Sequence, residues 1–195
     1  MELPLPLLVF VVVLLSWLAF MVVFLTHKKP PSGPEQKRES KSIIGIALQG
    51  AGYAIIWTIH RRYFSSIADM NRVLEIILAV FTCFLAIGSV WLVMAAVKTL
   101  GKQWSLAARV VEDHKLVTEG PYKFVRNPIY TGMLGMLLAT GVAVGHWIGL
   151  LAGLIVFALG TLIRVRSEEK LLRGAFGEQF EKYARSVPAI LPGLY

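Results

Sequence analysis

Residues 127 to 163 read NPIYTGMLGMLLATGVAVGHWIGLLAGLIVFALGTLI, and this run decides the fold of the chain. Its 37 residues include no Asp, Glu, Lys or Arg. A helix needs about 20 apolar residues to cross the hydrocarbon core of a membrane, so the run is too long for one span. Gly145 and His146 interrupt it near its middle. The run therefore predicts a hairpin of two short membrane helices.

Three further charge-free runs precede the hairpin, at residues 3–27, 42–60 and 76–97. Each has about the length of one membrane helix. The 195 residues are 56% hydrophobic and 16% charged, which is more apolar than a soluble domain. The lone cysteine, Cys83, lies in an apolar run and excludes a disulfide within one chain, and no metal site is expected. We predict an all-α integral membrane protein with five transmembrane helices.

The distribution of Lys and Arg predicts how these helices are oriented. Segments 28–41, 98–126 and 164–185 share one side of the membrane and hold five, six and six basic residues, against three on the other side. By the positive-inside rule, the basic side faces the cytoplasm. The net charge of +8 is then explained by topology and by contact with anionic membrane lipids, and we expect no nucleic-acid partner.

We predict a single membrane domain over residues 1–195. Residues 1–99 form three N-terminal spans with a basic linker at 28–42, whose start, 28–35, is rich in Pro and charge and is expected to be flexible. Residues 100–195 contain the hairpin and a C-terminal helix.

The C-terminal helix is predicted from apolar residues that recur every three or four positions after Arg166. The residues are Leu172, Phe176, Phe180, Tyr183 and Val187. Charged residues occupy the other faces, so the helix should be amphipathic, lie at the membrane interface or over polar residues, and end near Pro188.

Two polar stretches flank the hairpin: HKLVTEGPYKFVRNPIYTG at residues 114–132 and RVRSEE at residues 164–169. An unpaired polar group in hydrocarbon costs several kcal/mol, so this cluster points to an active site. The alternative is a simple surface turn with interfacial tyrosines and snorkelling arginines. That alternative does not explain Glu168 and Glu169, adjacent acids on a side rich in basic residues.

Several motifs occur in order between His114 and Tyr183, within a similar region from Leu100 to Pro192: HKLVTEGPY, then RNPIY with Gly132, then RVRSEE, then Phe176-Gly177 and Tyr183. This pattern resembles the isoprenylcysteine carboxyl methyltransferase family, and the related phospholipid methyltransferases share parts of it. The likeness covers about the C-terminal half of the chain. The N-terminal helices match only in being hydrophobic.

The resemblance implies an integral membrane enzyme that transfers a methyl group from S-adenosylmethionine. It implies a cytoplasmic cofactor pocket between the loop before the fourth span and the end of the fifth, closed by the C-terminal helix. The cofactor-binding residues expected from it are His114, Leu116, Gly120, Tyr122, Arg126, Asn127, Pro128, Tyr130, Glu168 and Glu169.

The residue types in this pocket suit the chemistry of that cofactor. Its carboxylate suits a cation such as Arg126 or a donor such as His114, and its ribose hydroxyls and ammonium group suit the paired glutamates. Tyr122 and Tyr130 are expected to flank the adenine or the positively charged sulfur.

A carboxylate acceptor is ionised at neutral pH and needs no general base, so the protein has only to hold it in line with the methyl group. Arg164 or Arg166 is expected to hold that carboxylate, although either one alone is also a plausible positive-inside anchor. The predicted reaction is O-methylation of a lipid-linked carboxylate, such as the S-isoprenylcysteine at a protein C-terminus. The lipophilic acceptor is expected to enter from the bilayer.

Two other functions stay open. A phospholipid or small-amine N-methyltransferase would need a group that accepts the amine proton, and a non-catalytic membrane bundle would need no chemistry at all. One departure bears on the choice of acceptor. Many family members have Arg-His-Pro where this chain has Arg126-Asn127-Pro128, and asparagine cannot carry a positive charge.

Overall fold

The computed structural model describes residues 5–26, 35–38, 41–62, 65, 72–101, 109–111 and 116–191. Along these residues it contains six α-helices: α1 Leu5–Thr26, α2 Lys41–Thr58, α3 Arg72–Leu100, α4 Pro128–Val144, α5 Trp147–Phe176 and α6 Glu178–Ser186. A short 3-10 helix, Gly120–Lys123, precedes α4. The prediction of an all-helical membrane protein is confirmed, apart from two short strands described below.

Three of the described helices, α1, α3 and α5, are long and apolar enough to cross a membrane, and α2 and α4 are shorter apolar helices. The chain is a multi-pass integral membrane protein. The 30 residues of α5 extend about 45 Å at 1.5 Å per residue, whereas the hydrocarbon core is about 30 Å thick. The last third of α5, residues 167–176, therefore reaches beyond the length that a membrane requires.

The sequence predicts that the fifth span ends at Ile163, but the helix that contains it continues to Phe176. The helix continues to Phe176 because the charged residues that follow the apolar run pair along it. Arg164 lies 2.9 Å from Glu168, and Arg173 lies 3.3 Å from Glu169, both at four-residue spacing. Such pairs stabilise a helix that has left its apolar environment.

The predicted C-terminal amphipathic helix is therefore divided between two elements. Leu172 and Phe176 belong to α5, whereas Phe180 and Tyr183 belong to α6. Gly177 separates the two helices with a φ of +50°, a conformation that L-residues with a side chain rarely adopt. The short helix α6 buries Phe180 and ends at Ser186, close to the predicted end.

The basic linker contains a strand that was not expected from the sequence. Strand β1, Glu35–Arg38, pairs in antiparallel orientation with β2, Arg109–Val111, which follows α3. The expected flexibility of residues 28–35 is wrong at Glu35, because the backbone of that residue belongs to the ladder. Residues 28–34 lie outside the described residues.

Helix α2 packs chiefly against α5, and glycines let the two backbones approach closely. A Cβ atom at Gly52 would lie 2.8 Å from the carbonyl oxygen of Gly153, and one at Gly160 would lie 2.7 Å from that of Gly45. Small residues at such contacts are typical of helix packing in membranes. One polar pair joins the same helices, since Gln49 Nε2 donates to Thr161 Oγ1 at 2.9 Å and both residues are buried.

Helix α3 packs on α4, and α1 packs against both. Their shared core includes Phe20, Val93, Val97 and Met136. Two polar side chains inside the bundle are hydrogen-bonded between helices: Trp17 Nε1 donates to Thr140 Oγ1 at 3.0 Å, and Tyr53 OH donates to the carbonyl of Met133 at 2.6 Å. These contacts fix α1 and α2 against α4, which begins at the polar cluster.

The α2–α3 and α4–α5 connections meet at one end of the bundle. There the backbone N–H of Arg61 donates to the carbonyl of Val144 at 2.9 Å, and that of His146 donates to Ile59 at 3.0 Å. Arg61 Nη2 also donates to the carbonyls of Val142 and Ala143, at 2.8 and 2.9 Å. The guanidinium of Arg61 therefore caps the C-terminus of α4, where a positive charge is favoured.

Candidate active site

The opposite end of the bundle holds the polar cluster, and local sequence fixes its backbone. Gly120 has a φ of +57° and begins the 3-10 helix, where an added Cβ would lie 2.9 Å from Thr99 Oγ1. Pro128 is the first residue of α4, a position where its missing N–H costs nothing. Together these two residues direct the segment between them, residues 121–127, across the ends of α3 and α5.

A solvent-open cleft lies between this segment, the end of α5 and α6, with about 420 Å³ of atom-free space, open solvent included. Its polar lining comprises a carboxylate, a guanidinium and an amide, from Glu169, Arg126 and Asn127. The remaining lining is apolar or aromatic, from Leu100, Leu116, Val117, Tyr122, Leu172, Phe180 and Tyr183. The cleft thus combines charged groups with apolar walls.

Arg126 and Glu169 form the charged side of the cleft. Arg126 Nε and Nη2 each lie 3.0 Å from Glu169 Oε1, and both side chains are almost completely buried. Arg126 Nη1 also donates to the carbonyls of Ala184, at 2.7 Å, and Val187. Arg126 therefore joins α5 to the end of α6.

Residues 187–191, which we call the C-terminal segment, lie along the start of α4. The backbone N–H groups of Arg126 and Asn127 donate to the carbonyls of Pro188 and Ala189, at 2.8 and 3.0 Å. Asn127 Nδ2 donates to the carbonyl of Ala189 at 3.0 Å as well. Asn127, the departure from the family motif, therefore uses its amide to hold the C-terminal segment.

Two tyrosines connect α6 to the wall of the cleft. Tyr183 OH donates to the carbonyl of Tyr122 at 2.7 Å. Burial raises the pKa of Tyr183 to about 12, with Arg126 opposing and Glu169 reinforcing the shift. Burial also raises the pKa of Tyr122, and the charge of Glu168 adds to the increase. Both hydroxyls therefore stay protonated at physiological pH, and Tyr183 remains a hydrogen-bond donor.

A second polar cluster lies beside the cleft, between α4 and α5. Arg164 Nε donates to Tyr130 OH at 2.6 Å, and Arg164 Nη2 donates to Glu168 Oε1 at 2.9 Å. Tyr130 OH in turn donates to the same Glu168 oxygen. Arg164 is only 5% exposed, and its guanidinium carbon lies 5.4 Å from the centroid of the Tyr130 ring.

The residues singled out from the sequence therefore divide into groups. Two shape the backbone, Gly120 and Pro128, and two others, Tyr130 and Glu168, contact Arg164 and do not line the cleft. Arg166 is exposed, on the other side of α5 from buried Arg164. His114 lies outside the described residues. Five of the predicted cofactor-binding residues line the cleft together: Leu116, Tyr122, Arg126, Asn127 and Glu169.

Other cleft residues were not singled out as cofactor ligands. Phe180 and Tyr183 were recognised only as part of an apolar helix face. Leu172 lies on that same predicted face. Leu100 and Val117 were not identified as cleft residues, because nothing in their sequence context distinguishes an apolar cleft wall from ordinary packing. Arg173 was missed too, although its spacing of four from Glu169 was visible in the sequence.

The similarity to known proteins lies mainly in the same C-terminal region. The family model for phospholipid methyltransferase matches residues 77–179. A protein-S-isoprenylcysteine O-methyltransferase from Schizosaccharomyces pombe is 32% identical over 111 residues, which cover 56% of this chain and 47% of the relative. Protein-S-isoprenylcysteine O-methyltransferase B from Arabidopsis thaliana is 35% identical over 99 residues, half of each chain.

A methanethiol S-methyltransferase from Pseudomonas deceptionensis is 39% identical over 74 residues, which cover 37% of this chain and 27% of the relative. The chain thus matches about half the length, or less, of these curated relatives. The relatives' names differ in the acceptor atom, either oxygen or sulfur. The family model covers more than half of the chain, and the resemblance seen in the motifs is confirmed: the chain belongs to the phospholipid methyltransferase family.

Proposed function

We propose that this protein is an S-adenosylmethionine-dependent membrane methyltransferase that O-methylates a carboxylate on a lipid-linked substrate. A protein C-terminal S-isoprenylcysteine is the model substrate, because two of the relatives described above are named for it. One observation carries the proposal: the charged cleft at the end of α5 lies next to a buried arginine on the same helix. A methyl donor and an anionic acceptor need these two sites side by side.

The lining of the cleft fits the cofactor in its chemistry. Leu116, Val117 and Tyr122 supply apolar and aromatic surface for an adenine ring, and Glu169 supplies acceptors for ribose hydroxyls or an ammonium group. Arg126 already contacts Glu169 and two carbonyls. Its main role is therefore to join α5 to the end of α6, with little capacity left for a cofactor carboxylate.

The acceptor carboxylate is assigned to Arg164. When bound, S-adenosylmethionine supplies a methyl group on a positively charged sulfur; the carboxylate oxygen forms the new O–C bond as the S–C bond breaks. Arg164 is held by Tyr130 and Glu168, which fix the direction of its guanidinium. A fixed guanidinium can orient a carboxylate at little entropic cost. Arg166 is exposed beside the apolar face of α5 and suits an interfacial anchor.

Amine N-methylation is the second candidate, favoured by the description of the matching family as phospholipid methyltransferase. That reaction needs a group to accept the amine proton. Both glutamates at the site already accept hydrogen bonds from arginines: Glu168 from Arg164, and Glu169 from Arg126 and Arg173. A carboxylate acceptor makes no such demand, and this supports the ester product.

The proposal includes the membrane arrangement. All five apolar helices, α1 to α5, cross the bilayer, and residues 1–195 act as one domain whose C-terminal half carries the site. The basic segments and the cleft face the cytoplasm. The polar cofactor then arrives from the water, while the lipophilic acceptor reaches Arg164 from the bilayer.

The test uses purified protein with radiolabelled S-adenosylmethionine and three acceptors: an S-prenylcysteine, phosphatidylethanolamine and a total lipid extract. We expect a base-labile product, which indicates an ester; a base-stable product would instead support the amine reaction. Glu169→Gln should weaken binding of S-adenosylhomocysteine. Arg164→Gln should abolish methylation and keep that affinity, whereas the matched control Arg166→Gln should retain both. Equal losses in the two arginine variants would remove Arg164 from the acceptor site.

A further inference from the structure

Helix α2 lies outside the matched region of residues 77–179, yet it contacts the proposed acceptor site. Gly45 of α2 faces the aliphatic stem of Arg164. A Cβ atom at position 45 would lie 2.6 Å from Arg164 Cγ and 3.1 Å from its Cδ. The bare backbone of α2 therefore forms the wall against which this stem rests.

The guanidinium at the other end of the side chain is held by different helices. Tyr130 of α4 accepts from Nε at 2.6 Å, and Glu168 of α5 accepts from Nη2 at 2.9 Å. Arg164 is thus supported at its stem by α2 and at its charged end by α4 and α5. Because the rotamers of a long side chain are coupled along its length, moving the stem redirects the guanidinium.

The wall formed by α2 is rigid relative to α5. The Gly52 and Gly153 backbones are in close contact seven residues further along, and Gln49 is hydrogen-bonded to Thr161 between the two glycine contacts. Helix α2 therefore cannot slide to accommodate a larger residue at position 45 without breaking these contacts.

We propose that Gly45 is a positioning residue for methyl transfer: by leaving space for the Arg164 stem, it sets where the guanidinium meets the acceptor carboxylate. The inference rests on the proposed function. It assigns α2, which the family model does not cover, a direct part in the acceptor site. An added methyl group must move the stem by about 1 Å, because carbon atoms in contact lie about 3.5–4.0 Å apart.

The first experiment compares Gly45→Ala with two matched variants. A Cβ at Gly52 meets the backbone of α5 at 2.8 Å, as one at Gly45 does, but Arg164 is not among its nearest atoms; a Cβ at Gly50 meets nothing within 4 Å. Gly52→Ala thus reproduces the disturbed helix packing without touching the arginine. Gly50→Ala reproduces the change in helix propensity alone.

For Gly45→Ala we expect kcat/KM for the S-prenylcysteine to fall by up to about 100-fold, because a misplacement of about 1 Å can cost that much. The Kd for S-adenosylhomocysteine should stay within about twofold of the unmodified protein, since a factor of two is only about 0.4 kcal/mol. Gly52→Ala should lower thermal stability and keep kcat/KM per folded molecule. Equal kcat/KM in the Gly45 and Gly52 variants, or a changed Kd in the Gly45 variant alone, would overturn the inference.

A second measurement does not depend on methylation. In the Arg164→Ala background, Gly45→Ala should lower the melting temperature less than it does in the unmodified protein, because the contact with the stem is gone. Gly52→Ala should lower it equally in both backgrounds. Additive effects for both pairs would overturn the inference. If the unmodified protein binds S-adenosylhomocysteine but methylates none of the three acceptors, the proposed function fails while this coupling still reports the contact.

Discussion

Arg126→Lys tests whether one arginine holds α6 and the C-terminal segment against the bundle. The arginine contacts Glu169 through Nε and Nη2, and the carbonyls of Ala184 and Val187 through Nη1. The planar guanidinium contacts the Glu169 carboxylate and these two carbonyls at the same time. A lysine keeps the positive charge, but its single nitrogen can serve only one side.

The expected cost follows from the bonds that lysine cannot make. If the ammonium stays with Glu169, the two carbonyls at the end of α6 lose their charged donor. A hydrogen bond to a charged group contributes about 1.5 kcal/mol or more, so the pair contributes about 3 kcal/mol. Since 1.4 kcal/mol is a factor of ten, the open state of α6 should become about 100-fold more populated.

Hydrogen exchange followed by mass spectrometry, in detergent micelles, measures this opening directly. Amides of residues 178–190 should exchange about 100-fold faster in the variant, while those of α3 and α4 should be unchanged. The matched control is Arg173→Lys. Arg173 is about half exposed and pairs with Glu181 at 2.7 Å and with Glu169 at 3.3 Å, and exposed pairs contribute at most about 1 kcal/mol.

Exchange in α6 that is unchanged by Arg126→Lys would refute the reasoning, because it would mean that other contacts hold the segment. Equal acceleration in the Arg126 and Arg173 variants would refute it differently. In that case the stability of α6 would depend on the positive charge around Glu169, and the simultaneous contacts of the Arg126 guanidinium would not contribute.

Three further predictions concern stability measured by thermal or chemical unfolding in detergent. Gly177→Ala should destabilise the protein by about 1–3 kcal/mol, because a residue with a side chain is strained at a φ of +50°. Gly174 lies within α5 with nothing near its position, so Gly174→Ala should stabilise the protein by up to about 1 kcal/mol. A change of stability in the same direction for both variants would contradict this reasoning. Tyr183→Phe should cost about 1 kcal/mol through the lost bond to Tyr122. Folding raises the pKa of Tyr183 from its ordinary value of 10 to about 12. The stabilisation by Tyr183 should therefore be complete below pH 10 and disappear as the pH approaches 12. If the unfolding free energies of the unmodified protein and Tyr183→Phe differ more above pH 10 than below it, the shift is contradicted. Gln49→Leu should cost about 1 kcal/mol by leaving buried Thr161 without its donor, and a more stable variant would show that the pair does not hold α2 to α5.

The apolar helices were predictable because lipid imposes a length and a composition on every crossing segment. The polar regions were predicted less well. The extension of α5 depends on pairs such as Arg164–Glu168, whose effect on a helix end is small and local. Strand β1 depends on a partner 70 residues away, which no local pattern indicates.

Several residues that the sequence singled out do line one cleft, whereas the contacts between such residues were not predicted. The motifs identified Tyr130, Glu168 and Arg164 separately, but their mutual contacts depend on the rotation of α4 relative to α5. The role proposed for Gly45 could not be predicted from the sequence for a different reason. A glycine in an apolar helix looks like any other small packing residue until the side chain facing it is known.

Arg61 and His146 make hydrogen bonds at the end of the bundle opposite the cleft, and these bonds should restrict how the helices move relative to one another. They join the α2–α3 connection to the α4–α5 connection, so α2, α4 and α5 share a pivot there. A small rotation about that pivot produces its largest displacement at the opposite tip of α5, where Glu169 and Arg173 lie. Because these bonds restrain one end of the bundle, we expect relative motion of the helices to be largest at the other end, where the proposed cofactor cleft lies.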